Sequence, residues 1–178
     1  MTDQKALIRR AQSGDGEAFE QLLETHYDML YRFAYKWCGN RADAEDVTQL
    51  VCVKLARTIG QFRFESSFSS WLYRVVVNCA RDWARSERRQ SRCVEQDETD
   101  RAVEGSVEHQ AFLWQLLRTL DALPDGTKET LLLVHAEGLT HREAARILDV
   151  KESTVSWRLH EFRKNYSLEL DEGVIRGG

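Results

Sequence analysis

From Asp15 onward the apolar residues return every three or four positions, and Phe19, Leu22, Leu23, Leu30, Phe33, Ala34 and Trp37 form one stripe that stops at Gly39. This period predicts a long amphipathic helix, with Asp15 as its N-cap and Gly39 as its stop. Asn40 opens a second helix, whose stripe is Ala44, Val47, Val51 and Leu55. After the loop QFRFESS, a third helix runs from about Phe68 into an arginine-rich stretch, with Phe68, Trp71, Leu72, Val75, Val76, Cys79 and Trp83 on its apolar side. Leu113, Leu116, Leu117 and Leu120 predict a short helix ended by Pro124, and Leu131, Leu132, Leu133, Val134 and Ala136 another ended by Gly138. Thr140 and Glu143 have capping-box spacing and open a helix holding Ala144, Ala145, Ile147 and Leu148. The turn DVKES follows, in which Asp149 tolerates a left-handed backbone. A final helix from near Ser153 turns Val155, Leu159, Phe162 and Tyr166 inward.

Composition agrees with an all-α chain. Only 1 of its 178 residues is proline, where an average chain of this length carries roughly nine, so the commonest helix breaker is almost missing. With 42% apolar and 30% charged residues, collagen-like, disulfide-stapled and disordered classes are excluded. No stretch approaches the about eighteen apolar residues of a membrane span, and MTDQKALIRRAQSGD lacks the apolar core of a secretory signal. A cytoplasmic location is expected. Cys38, Cys52, Cys79 and Cys93 include no C-x-x-C pair and no histidine at zinc-ligand spacing. Three of them fall on apolar helix faces and are expected to be buried reduced thiols, and no metal or other cofactor is expected.

Charge divides the chain more sharply than its net value of -4 suggests. Residues 1–92 hold 15 Lys and Arg against 12 Asp and Glu, and residues 109–178 hold 9 against 11. Between them, residues 93–108 hold 1 against 6 in the sequence CVEQDETDRAVEGSVE. Few apolar residues and a strongly acidic run describe a solvated linker. The expected organisation is two small helical domains, an N-terminal helix bundle over 1–92 and a C-terminal helix-turn-helix over 110–170. A flexible acidic linker, 93–109, joins them, and a short tail, 171–178, follows.

Two faces carry candidate chemistry. On the third helix Arg74, Asn78, Arg81, Arg85, Arg88 and Arg92 recur at alternating steps of four and three, so they project from one side as a ladder. Solvated faces usually mix signs, whereas this one is mostly guanidinium, a group that grips phosphates bidentately. The preceding loop sets Phe62 and Phe64 beside Arg63; these rings either stack on bases or plug the end of the bundle. In the C-terminal part, a short helix with small Ala144 and Ala145, a four-residue turn and a second amphipathic helix make a helix-turn-helix pattern. The outward face of its last helix carries Ser153, Ser156, Trp157, His160 and Lys164, with Thr154 and Arg158 at the flanks and Lys151 just before. These side chains hydrogen-bond base edges, touch thymine methyls or hold phosphates. Asp43, Glu45 and Asp46 crowd the start of the second helix, where acids also complement the helix dipole.

The order of these pieces resembles the extracytoplasmic-function class of bacterial sigma factors, over nearly the whole chain. DAED, Asp43 to Asp46, with Gln49 is similar to region 2.2 of that family. FSSWLYRVVVNCARDWAR, Phe68 to Arg85, resembles regions 2.3 and 2.4, and LPDGTKETLLLVHAEGLTHREAARILDVKESTVSWRLHEFRK, Leu123 to Lys164, resembles region 4. The resemblance implies a non-catalytic, alternative RNA polymerase sigma factor. Asp43, Glu45, Asp46 and Gln49 would dock on the clamp coiled coil of the polymerase β' subunit. Phe62, Arg63, Phe64, Trp71, Arg74, Asn78, Arg81, Arg85 and Arg88 would open and read the -10 promoter element. Lys151, Ser153, Thr154, Ser156, Trp157, Arg158, His160 and Lys164 would read the -35 element, on a domain that meets the β flap. The acidic linker would thread polymerase channels as a polyanion mimic, and an anti-sigma factor is an expected partner. Two other classes compete. An enzyme finds no support, because no phosphate-binding loop, zinc-protease or nucleophile-elbow motif is present. A polymerase-independent helix-turn-helix regulator accounts for the C-terminal half but leaves the DAED segment, the arginine ladder and the acidic linker uncoordinated.

Overall fold

In a computed structural model of the chain, the backbone is described over residues 4–93 and 123–175, and the side chains over 4–87 and 123–165. The expected helix around Leu113 to Leu120, the acidic linker, the tail beyond residue 175 and the side chains of Arg88, Arg92 and Tyr166 lie outside the described residues. Every regular element among those described is helical. The chain divides into two compact units, Met1–Leu113 and Trp114–Gly178.

The first unit contains α1 (Gln4–Gln12), α2 (Gly16–Cys38), α3 (Arg41–Thr58), a 3-10 turn (Ile59–Gln61) and α4 (Phe68–Cys93). Helix α1 has no counterpart in the sequence reading. It is short and only partly apolar, yet it buries Leu7, Ile8 and Ala11. The α2 carboxylate cap is as the sequence predicts: the side chain of Asp15 accepts from the Ala18 N–H at 3.1 Å. At the other end Gly39 adopts φ 77° and its N–H closes on Tyr35 O at 2.8 Å, a left-handed stop that costs a glycine little. Asn40 then caps α3 through Asp43 N at 2.9 Å. Two helix ends are thereby satisfied by adjacent residues, and the α2–α3 corner is fixed locally.

Helices α2, α3 and α4 share one core, in which Leu30, Phe33, Val47, Val51, Leu72, Val76 and Val77 are fully enclosed. Helix α4 packs against both α2 and α3, so its buried face is wider than a single stripe. Tyr73, Val77 and Ala80 join Phe68, Leu72, Val76 and Cys79 inside. Trp71, Val75 and Trp83, expected among the core residues, are only half-buried at the margin.

The second unit contains α5 (Thr127–Leu131), which widens into a π turn over Leu132–Ala136, then α6 (His141–Leu148) and α7 (Glu152–Ile175). The wider turn departs from the 3.6-residue phase, which leaves Val134 half-buried and Ala136 exposed although the sequence pattern places both on the apolar side. Leu133, Ala144, Ala145, Ile147, Val155 and Leu159 form the core of this unit.

Candidate functional site

The acidic start of α3 separates into two roles. Asp43 faces the cap: its carboxylate accepts from Asn40 Nδ2 at 2.6 Å, and it is half-buried. Glu45 is half-buried and pairs with Arg41 at 2.8 Å, while Asp46 and Gln49 are exposed. Along the same outward side, Leu50 and Val53 keep 48% and 50% of their surface in solvent. They were missed as site residues in the sequence; their signal is that both are apolar yet out of phase with the Ala44, Val47, Val51, Leu55 stripe. The face of α3 therefore runs from acidic at its start to apolar at its middle, and ends on Lys54 and Arg57.

On α4 the ladder stands opposite the buried face. Arg74, Asn78 and Arg85 are exposed and Arg81 is half-buried. Arg85 lies 3.9 Å from Asp82, both in solvent, a pair that contributes little to stability. The ladder and the α3 face meet along an open groove of about 480 Å³, lined by Leu50, Val53, Lys54, Arg57, Asn78, Cys79, Arg81, Asp82 and Arg85. Burial pushes the Cys79 thiol up to about 11, and the Cys52 thiol is also raised by burial. A raised thiol pKa leaves less of the nucleophilic thiolate at neutral pH.

The loop before α4 resolves the two fates of its aromatic rings differently. Phe62 is only 5% exposed and packs on Phe64, Phe68 and Trp71, with ring centroids 4.9, 5.3 and 5.5 Å away. It plugs the end of the bundle. Gln12 Nε2 donates to Ile59 O at 3.0 Å and to Phe62 O at 2.8 Å, tying the loop to α1. Phe64 is half-buried at φ 60°, a left-handed backbone that a bulky residue adopts only where its surroundings enforce it. The Arg9 guanidinium sits 5.7 Å from its ring centroid. His26 meets Phe68 edge-on at 5.4 Å, and burial lowers its pKa, which favours the neutral imidazole. Phe64 and Trp71 are half-buried rings ahead of the ladder in the chain, and Arg63 is exposed.

In the second unit both halves of the Thr140–Glu143 capping box form: Thr140 N donates to Glu143 Oε2 at 2.9 Å and Glu143 N to Thr140 Oγ1 at 3.2 Å. Asp149 closes α6 at φ 54°. Ala144 and Ala145 are buried where α6 and α7 approach, the close crossing that a helix-turn-helix needs. On α7, Ser153, Ser156, Trp157, His160 and Lys164 are exposed, Thr154 is half-buried, and Lys151 is exposed just before the helix. Trp157 keeps 58% of its surface in solvent. Ser156 Oγ donates to Glu152 O at 3.2 Å and lies 2.9 Å from His141 Nδ1. Arg158 departs from this outward set. It is half-buried, and its guanidinium turns back onto α5, donating to Gly126 O at 3.2 Å.

No group of three or more His, Cys, Asp or Glu among the described residues is arranged to hold a metal ion. No described helix is long and apolar enough to cross a membrane.

Residues 22–90 match the family model of sigma-70 region 2, and residues 113–165 that of sigma-70 region 4. The ECF RNA polymerase sigma-E factor of Haemophilus influenzae is 30% identical over 177 residues, covering 92% of this chain and 93% of that protein. The ECF RNA polymerase sigma factor SigE of Mycolicibacterium smegmatis is 30% identical over 153 residues, which cover 83% of this chain but only 59% of that longer relative. Among solved structures, CnrH in complex with the cytosolic domain of CnrY superposes with a TM-score of 0.70 at 26% identity, covering 96% of this chain and 99% of that one. By these relationships and by its two helical units, the chain belongs to the extracytoplasmic-function class of the sigma-70 family of RNA polymerase sigma factors.

Proposed function

We propose that this chain binds core RNA polymerase and directs it to promoters by reading a -10 element with its first unit and a -35 element with its second. The exposed face of α3, Glu45, Asp46 and Gln49, docks on the clamp coiled coil of β', and Asp43 supports that face from the cap. The helix-turn-helix unit sits at the β flap. Arg74, Asn78, Arg81, Arg85 and Arg88 hold the backbone of the melting DNA, while Arg63, Phe64 and Trp71 receive an unstacked base at the upper end of the ladder. Phe62 serves as the plug that holds the loop in place. On α7, Lys151, Ser153, Thr154, Ser156, Trp157, His160 and Lys164 enter the major groove of the -35 element.

The observation that carries this reading is the α4 ladder: Arg74, Arg81 and Arg85 lie opposite the buried face, on one side of one helix, with half-open aromatic rings leading into them. Such a surface suits DNA whose strands are separating, because cations hold phosphates and rings accept bases. The chain supplies no catalytic chemistry of its own; the polymerase makes RNA. It acts in the cytoplasm, and the acidic segment 93–109 connects the two readers as a polyanion that follows nucleic-acid channels of the enzyme. A protein that covers the α3 or α7 faces, an anti-sigma factor, is the corresponding inhibitor. Permanganate footprinting tests the ladder directly. Wild-type holoenzyme is expected to make -10 thymines reactive, and the Arg81→Ala, Arg85→Ala double variant to bind promoter yet open it at least about tenfold less. Equal opening by the folded variant contradicts the assignment.

A further inference from the structure

Arg158 sits on the helix assigned to the -35 element, among residues that face solvent, yet its guanidinium is turned inward. Its Nη1 donates to Gly126 O at 3.2 Å and reaches Thr130 Oγ1 at 3.4 Å. The same Gly126 carbonyl also accepts from Thr130 N at 3.2 Å and Thr130 Oγ1 at 2.6 Å. One carbonyl at the start of α5 is therefore shared by three donors, two from its own helix and one from α7. Gly126 is buried with φ 83°, and a Cβ built on it would run into Nη1, Nη2 and Cζ of Arg158. The planar guanidinium occupies the space that a side chain at residue 126 would need. Thr130 is fully buried, as is Thr127 nearly so, so the seat is enclosed on the α5 side.

A guanidinium used this way has little freedom to serve as a phosphate grip as well. It has a fixed fork of donors and no acceptor, and withdrawing it would break the one bond that ties α7 to Gly126 O and open a gap beside a glycine. Base-edge readout, in contrast, depends on direction: bidentate pairs need the reading helix to present its side chains at a set angle. Holding such a surface needs supporting residues outside it. Resting on the reading of α7 as the -35 helix, we propose that Arg158 is a positioning residue for promoter recognition: seated on Gly126, it locks α7 to the first turn of α5 and fixes the angle at which Trp157, His160 and Lys164 meet the DNA.

A phosphate contact and a lock leave different signatures in holoenzyme. The probes are a promoter fragment recovered by wild-type holoenzyme and the same fragment with its -35 element scrambled, each titrated across a range of salt. For the lock, Arg158→Ala and Gly126→Ala lower the ratio of specific to scrambled affinity about tenfold, with scrambled affinity and salt slope as in wild type. Lys164→Ala, a surface cation, lowers the slope by about one unit. Arg158→Lys keeps the charge and loses the planar fork, so it behaves like Arg158→Ala in the affinity ratio; this milder change also serves if either of the others fails to fold. The proposal is overturned if Arg158→Ala reduces the slope by about one and weakens scrambled DNA equally while Arg158→Lys restores both. It is equally overturned if the folded variants keep the wild-type ratio. Failure of wild-type holoenzyme to select any promoter fragment removes the functional reading itself, and the lock with it.

Discussion

Asp43 and Asp46 lie one turn apart on α3 and face different environments. Asp43 accepts from Asn40 Nδ2 and belongs to the helix cap, whereas Asp46 is exposed. Reversing Asp46 is expected to leave the fold intact, since surface changes away from caps and cores usually stay within about 0.5 kcal/mol and a lost dipole interaction adds about 0.3–1 kcal/mol. Asp46→Lys is accordingly expected to melt within a few degrees of wild type while its co-elution with core polymerase falls at least about a hundredfold. Wild-type co-elution by the folded variant contradicts the docking role. Cys79 offers a second residue-level test. A thiol held at about 11 carries at least about a hundredfold less thiolate near neutral pH than a free cysteine. Iodoacetamide is therefore expected to label Cys79 at least about a hundredfold more slowly in the folded chain than in urea; labelling at the free-thiol rate contradicts that burial.

Capping decides the behaviour of α6 as an element. Thr140→Ala removes one side of the box and is expected to cost about 1 kcal/mol, read by urea unfolding of the full chain; no loss contradicts the cap. The Thr140 side chain and backbone hold the Glu143 carboxyl below the usual glutamate range, the side-chain bond first. A lowered folded pKa means that this contribution is complete above the unfolded value, about pH 4.3, and is lost as pH falls through the folded one. Glu143→Gln is expected to flatten the decline of stability below about pH 4.3, and an unchanged decline contradicts the assignment. The same capping explains what was legible in the sequence. Asp15, Gly39, Asn40, Thr140 and Asp149 act on backbone groups within a few residues, so their roles can be read from spacing alone. Helix α1 could not be read this way, because nine residues with three buried positions form a stable helix only against α2. The widened turn at Leu132–Ala136 likewise escaped a reading that assumes one constant period.

At the scale of the whole molecule, the sequence exposed the ladder, the helix-turn-helix and the family resemblance, while the finer sorting of site residues depended on contacts between distant positions. Phe62 belongs inside because Phe68 and Trp71 surround it. Leu50 and Val53 border a groove whose other wall comes from α4, about thirty residues later. Arg158 turns inward because Gly126, 32 residues earlier, leaves room for it. None of these follows from periodicity, which assigns a side chain to a face but not to a neighbour. The central claim is that the chain works only as part of the polymerase, with two DNA-reading units whose selectivity is expressed once the enzyme holds them on a promoter. Run-off transcription with purified core polymerase and genomic fragments tests it most directly. Specific transcripts are expected only when the full chain is added, and their loss with Asp46→Lys; a chain that never joins the polymerase yet binds its DNA target unaided as a dimer would contradict the account.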